Sequence, residues 1–150
     1  INSARFRSME AEGSFGQTTP VTTRSRTASR PARILLVDDE SLLVACQAAV
    51  LERYGHKVTA VTDPRDALAL VRANPAHFDV VISDLVMPEI DGIELSARLA
   101  SLRPELPIII LTGTPPNNGT LGYGIRKLLV KPAPSREVHA AVVEVLEEVL

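Results

Sequence analysis

Asp38, Asp39, Asp84, Thr112 and Lys131 each follow a short apolar run. Ile34 to Val37 leads into Asp38 and Asp39, and Val80 to Ile82 leads through Ser83 into Asp84. Ile108 to Leu111 ends at Thr112, and Lys127 to Val130 ends at Lys131. Runs of this length, rich in β-branched residues, mark buried strands. In an open parallel sheet, ligands bind just beyond the carboxyl ends of the strands. If these strands are parallel, residues distant in the chain meet on one edge. Carboxylates in that number suit a hard divalent cation such as Mg2+, which prefers oxygen ligands. A lysine brings a mobile positive charge to phosphoryl oxygens, and a threonine hydroxyl adds a hydrogen bond. The set therefore points to phosphoryl transfer onto a carboxylate. Asp84 is the best nucleophile, because it leaves a central strand toward an open edge. Without a cation the carboxylates repel one another and at least one pKa rises. Mg2+ relieves that repulsion and screens an incoming phosphoryl group. The competing reading is an acidic strand-end cluster with a structural contact between Lys131 and an aspartate.

The elements between these strands must position the set. An amphipathic helix is expected from about Glu40 to Tyr54, with Leu43, Cys46 or Gln47, Val50 and Tyr54 on its packed face. That spacing makes Cys46 a small core side chain instead of a reactive thiol. Gly55 ends the helix, and Val58 to Val61 forms a second strand. Asp63 and Pro64 read as N-cap and first turn of a helix to Ala73, packed through Ala67, Leu68 and Val71. His77 lacks a second metal ligand at a useful spacing and reads as a surface or packing residue. A further helix is expected from Ile93 to Ser101, after the loop of Pro88, Asp91 and Gly92. The run Thr114, Pro115, Pro116, Asn117, Asn118, Gly119, Thr120 opposes a regular helix. Any helix there is short or distorted, from about Thr120 to Gly124. The last helix starts near Ser135, with Val138, Ala141, Val142, Val145, Leu146 and Val149 as its apolar stripe. Strands alternating with amphipathic helices predict an α/β fold, a five-stranded parallel sheet with helices on both faces.

The chain has 150 residues, of which 45% are hydrophobic and 3% aromatic, so one aliphatic core is expected. No apolar run approaches the roughly 20 residues that span a bilayer, and no secretory signal is legible. A single cysteine excludes an internal disulfide framework and fits a reducing, cytoplasmic compartment. The net charge of -2 hides an asymmetry. Arg5, Arg7, Arg24, Arg26, Arg30 and Arg33 face only Glu10 and Glu12 in the first 33 residues, whereas the remainder is acidic. Residues 1–32 thus read as a disordered, basic, Ser/Thr-rich linker or tail, and 33–150 as the folded domain. An acidic body argues against a nucleic-acid surface.

From about Arg33 to Leu150 the chain resembles the receiver domain of two-component response regulators. The matching pieces are Ile34-Leu35-Leu36-Val37-Asp38-Asp39-Glu40, Asp84-Leu85-Val86-Met87-Pro88-Glu89-Ile90-Asp91-Gly92, Leu111-Thr112-Gly113 and Lys131-Pro132. The resemblance implies a flavodoxin-like, doubly wound sheet with strand order 2-1-3-4-5. It implies Asp84 as phosphoacceptor, and Mg2+ held by Asp38, Asp39, Asp84 and the backbone carbonyl of Val86. Thr112 then corresponds to the switch hydroxyl and Lys131 to the phosphate-sensing lysine, with a cis bond before Pro132. The implied partner is a sensor histidine kinase or its histidine-containing phosphotransfer domain. Phosphoryl transfer and later hydrolysis are self-catalysed, which differs from conventional enzymatic turnover. Output implies a downstream protein or self-association, and a hybrid histidine kinase is one source of such a domain.

Two departures fall on the family's usual output face. Leu128 stands where members usually carry an aromatic residue, and Tyr123 is at the wrong position to replace it. Pro115, Pro116, Asn117, Asn118 and Gly119 stand where a helix normally follows the threonine. An atypical output face is therefore expected. The alternative is a receiver-like interaction module that signals by binding without phosphorylation. A phosphatase using an aspartyl-phosphate is disfavoured by Val86, two residues after Asp84, where a second aspartate is needed. A nucleotide-binding relative is disfavoured by an acidic first loop that cannot cradle phosphate.

Overall fold

The computed structural model describes residues 31–116, 122 and 124–148. Five strands form one sheet: β1 (Arg33–Val37), β2 (Lys57–Val61), β3 (Val80–Ser83), β4 (Ile108–Thr112) and β5 (Ile125–Val130). All neighbours are parallel, in the order β2-β1-β3-β4-β5. Among the described residues four helices accompany them: α1 (Ser41–Arg53), α2 (Pro64–Ala73), α3 (Gly92–Leu102) and α4 (Ser135–Glu148). The flavodoxin-like arrangement expected from the sequence is the one observed. Parallel strands need crossover connections, and the amphipathic helices supply them on both faces.

Side-chain alternation along each strand builds two cores. Leu35, Val37, Val81, Ile108 and Ile110 pack against Ala67, Leu68 and Val71 of α2 and Leu95 and Leu99 of α3. Ile34, Leu36, Val80, Ile82, Ile109 and Leu111 pack against Val44 and Leu51 of α1 and Val138, Ala141, Val142 and Val145 of α4. Each fully buried aliphatic side chain contributes about 1.5–3 kcal/mol. Because both faces are covered, β3 and β4 are buried at every position. Leu128 packs against the first core, half-buried. Ala32 is also fully buried, so packing reaches one residue before Arg33.

The α2 reading holds to the residue, with the Asp63 side chain accepting from the Arg65 amide at 2.9 Å. The α1 face needs correction. Val44 and Leu51 are its buried residues, while Cys46 and Tyr54 are exposed. This helix is apolar almost all round, from Leu42 to Leu51, so periodicity alone does not choose a face. Cys46 opens instead onto a cleft of about 530 Å³ bounded by α1 and the start of α4, with Leu43, Val50 and Pro132 among its walls. The remaining elements differ from the sequence reading by one or two residues at their ends. The expected tail at residues 1–32, except Pro31 and Ala32, most of the distorted helix from Thr120 to Gly124, Tyr123 and Val149 lie outside the described residues.

Candidate functional site

The register of the sheet assembles the site. Val37 of β1 is the partner of Ser83 of β3, so Asp38 and Asp84 emerge side by side. The Asp84 amide donates to Val37 O at 3.0 Å and extends that ladder by one rung. Across the sheet Thr112 pairs with Val130, and the Lys131 amide donates to Thr112 O at 2.8 Å. All the strand-end residues named from the sequence therefore lie on one edge. Asp38, Asp39 and Asp84 each offer a carboxylate oxygen within 4.8 Å of the others. Lys131 Nζ lies 3.4 Å from Asp38 Oδ2 and 3.9 Å from Asp84 Oδ1. The peptide bond between Lys131 and Pro132 is cis.

Each carboxylate is held differently. Asp38 is 2% exposed, and its Oδ1 accepts from the Glu40 amide at 3.0 Å. Asp39 is exposed. Asp84 is partly buried, and its Oδ1 accepts from the Leu85 amide at 2.8 Å. Burial pushes the Asp84 carboxyl above the ordinary carboxylate value. The Lys131 ammonium opposes that rise, Asp38 adds to it, the Leu85 amide opposes it, and Asp39 adds to it. An acid held in this way is poorly satisfied as an anion. Three carboxylates against one ammonium leave an excess of two negative charges. The all-oxygen donor set and that excess both fit a divalent cation such as Mg2+.

Thr112 is buried, and its Oγ1 accepts from the Thr114 amide at 3.1 Å. The Val86 side chain, next but one to Asp84, is 62% exposed. One contributor was not legible in the sequence. The Gly92 amide donates to Leu85 O at 2.7 Å, closing the loop after β3. A Cβ at Gly92 would lie 2.5 Å from Asp84 O and 3.0 Å from Leu85 Cα. Only glycine lets the start of α3 approach the backbone of Asp84 so closely. The Asp91-Gly92 pair signalled a loop; its packing against Asp84 required the fold.

Comparison with known proteins agrees with this geometry. The family model for the response regulator receiver domain matches residues 34–143. The chain belongs to that family. The transcription factor SKN7 of Candida albicans is 32% identical over 110 residues, which are 71% of this chain and 19% of that protein. The transcriptional regulatory protein GlrR of Escherichia coli K12 is 32% identical over 122 residues, covering 79% of this chain and 27% of GlrR. The chain thus spans less than a third of these curated relatives. Among solved structures, a response regulator receiver domain from Clostridium thermocellum superposes with a TM-score of 0.72 at 26% identity, covering 78% of this chain and 95% of that one. The receiver domain of the hybrid histidine kinase CckA gives 0.65 at 29% identity, covering 76% and 98%. Within this receiver domain, no helix among the described residues is long and apolar enough to cross a membrane.

Proposed function

We propose that this receiver domain accepts a phosphoryl group on Asp84 from the phosphohistidine of a sensor histidine kinase or phosphotransfer domain. The observation that carries this reading is the position of Lys131, whose ammonium reaches Asp38 and Asp84 together. A carboxylate oxygen of Asp84 bonds to phosphorus as the histidine N–P bond breaks. The departing electron pair returns to the imidazole nitrogen, which recovers a proton from solvent. Lys131 then transfers its charge contact from the carboxylates to the phosphoryl oxygens. Asp38, Asp39, Asp84 and the Val86 carbonyl are the residues that would hold Mg2+, whose charge would neutralise the phosphoryl oxygens. Thr112 is the hydroxyl that would donate to the new phosphoryl group, its Oγ1 accepting from the Thr114 amide before transfer. The added charge then redraws the β4 and β5 ends, the local event that a partner reads. Hydrolysis of the acyl phosphate resets the domain, so the chemistry is a self-catalysed cycle. The reading places the domain in the cytoplasm, with a downstream protein or a second copy as its reader and no nucleic acid bound by the acidic body. Leu128, in place of an aromatic residue, makes the output face atypical.

Intact-mass measurement after incubation with Mg2+ and acetyl phosphate tests the proposal. A gain of about 80 Da, one phosphoryl group on a nucleophile, is expected for the wild type and not for Asp84→Asn. Chelation of Mg2+ should suppress it. No adduct at short times, under conditions that label a control receiver, would favour an interaction module that signals without phosphorylation.

A further inference from the structure

His56 and His139 form a part-buried contact near the strand starts, at the end of the sheet opposite the acidic edge and outside the chemistry described above. His56 follows α1 and precedes β2, is 4% exposed, and faces His139 on α4. The Ala32 amide donates to His56 Nδ1 at 3.1 Å. A backbone amide can only donate, so Nδ1 is unprotonated and the neutral ring carries its hydrogen on Nε2. His56 Nε2 lies 2.9 Å from His139 Nδ1. His139 Nδ1 must then accept, and His139 too is neutral, with its hydrogen on Nε2. Tyr54, at the end of α1, stacks on His139 with ring centroids 4.2 Å apart. The chain of donors runs one way, from Ala32 through His56 to His139. It joins the entry to β1, the start of β2 and the middle of α4.

A second proton has no place in this chain. On His56 Nδ1 it would face the Ala32 N–H, and on His139 Nδ1 it would face the His56 N–H. Either event sets two donors head-on and breaks a hydrogen bond. The tautomer also argues against a two-histidine metal site, because a ligating imidazole normally donates its other N–H outward, and His56 Nδ1 accepts instead. We infer that Ala32, His56 and His139 form a pH-sensitive latch, closed while both rings are neutral and opened by their protonation, which releases the Ala32 amide and His139 from His56 while the Lys57 amide keeps its bond to Ala32 O.

Burial lowers the pKa of His56, and His139 lowers it further. Burial lowers that of His139 as well. Among the described residues no carboxylate acts on either ring, and Glu52 on α1 and Glu137 on α4 are exposed. Arg33 on β1 is engaged with Asp79. Arg53 at the end of α1, Lys57 on β2 and Arg136 on α4 are basic and exposed. His139 is the only titratable group among the described residues that acts on His56. The sign follows: the unfolded chain binds protons that the folded one refuses. The latch contributes its full stability above the ordinary histidine value of about 6.5 and loses it as pH falls below that value.

The test is a nitrogen-15 NMR titration of the full chain. The expected result is an Nε2–H tautomer for His56 and His139 at pH 7.5, and midpoints for both below the ordinary histidine value of about 6.5. Amide exchange at Ala32, corrected for intrinsic rate, should lose up to about tenfold of its protection between pH 7.5 and 5.5. The Val81 amide, bonded to Pro107 O within the sheet, should lose protection only as far as the global unfolding constant rises. The unfolding constant should rise by up to about tenfold per histidine over the same range, and His139→Phe should reduce that dependence. Midpoints at or above the ordinary histidine value of about 6.5, or an Nδ1–H tautomer at His56, would overturn the latch, whether or not the variant folds.

Discussion

The ammonium of Lys131 sits 3.4 Å from the buried carboxylate of Asp38, although 93 positions separate the two residues. Asp84 Oδ1 is the farther acid, at 3.9 Å. Before phosphorylation, then, the lysine is engaged mainly with an acid that is not the proposed acceptor. Asp38 is nearly inaccessible to water and needs that charge more. A phosphoryl group on Asp84 would compete for the same ammonium, which couples the chemistry to the end of β5.

Removal of Lys131 should therefore destabilise the metal-free domain. Truncating one partner of a fully buried pair costs about 3–5 kcal/mol. Lys131 retains a quarter of its side-chain exposure, which lowers the expectation to about 2 kcal/mol for Lys131→Met. Urea unfolding with and without Mg2+ measures it. Saturating Mg2+ should narrow the gap between wild type and variant, because the cation supplies charge to the same carboxylates.

The raised pKa of Asp84 sets the sign of a second effect. Its folded form favours the neutral acid, so the group supports folding at low pH. That support is lost as pH rises through the folded pKa. At pH 7 without metal, Asp84→Asn should melt above the wild type, because the variant loses the charge that burial disfavours. Mg2+ should raise the melting temperature of the wild type more than that of the variant. Under the proposed chemistry, labelling by acetyl phosphate should slow with falling pH already above the ordinary carboxylate range.

Gly92 offers a test of positioning. A methyl group there meets the backbone of Asp84 and Leu85 instead of a flexible side-chain end. Gly92→Ala should cost about 1–3 kcal/mol and slow Asp84 labelling. Gly113→Ala is the control, since a Cβ at Gly113 meets nothing within 4 Å. Equal effects at the two glycines would count against a special approach at Gly92.

The exposed thiol of Cys46 predicts stoichiometric alkylation of the native protein at neutral pH. Intact mass after a brief iodoacetamide pulse checks it. Labelling only after denaturant is added would restore the buried reading that α1 periodicity favoured.

The sequence alone determined the strands, the nature of the edge and the residues on it. Apolar runs ending in Asp38, Asp84, Thr112 and Lys131 can be read without coordinates, because buried strands need continuous apolar residues and their ends do not. Asp63 before Pro64 was equally legible, since capping is a local interaction. Tertiary structure decided what depends on a neighbour. The face that α1 buries was settled by α4 and the sheet, because an evenly apolar helix carries no preferred side. The preference of Lys131 for Asp38 over Asp84 came from relative burial, and the need for glycine at position 92 came from its approach to Asp84. The pairing of His56 with His139 joins residues 83 positions apart through a single hydrogen bond. No local pattern encodes such a contact, because its partners share neither an element nor a period.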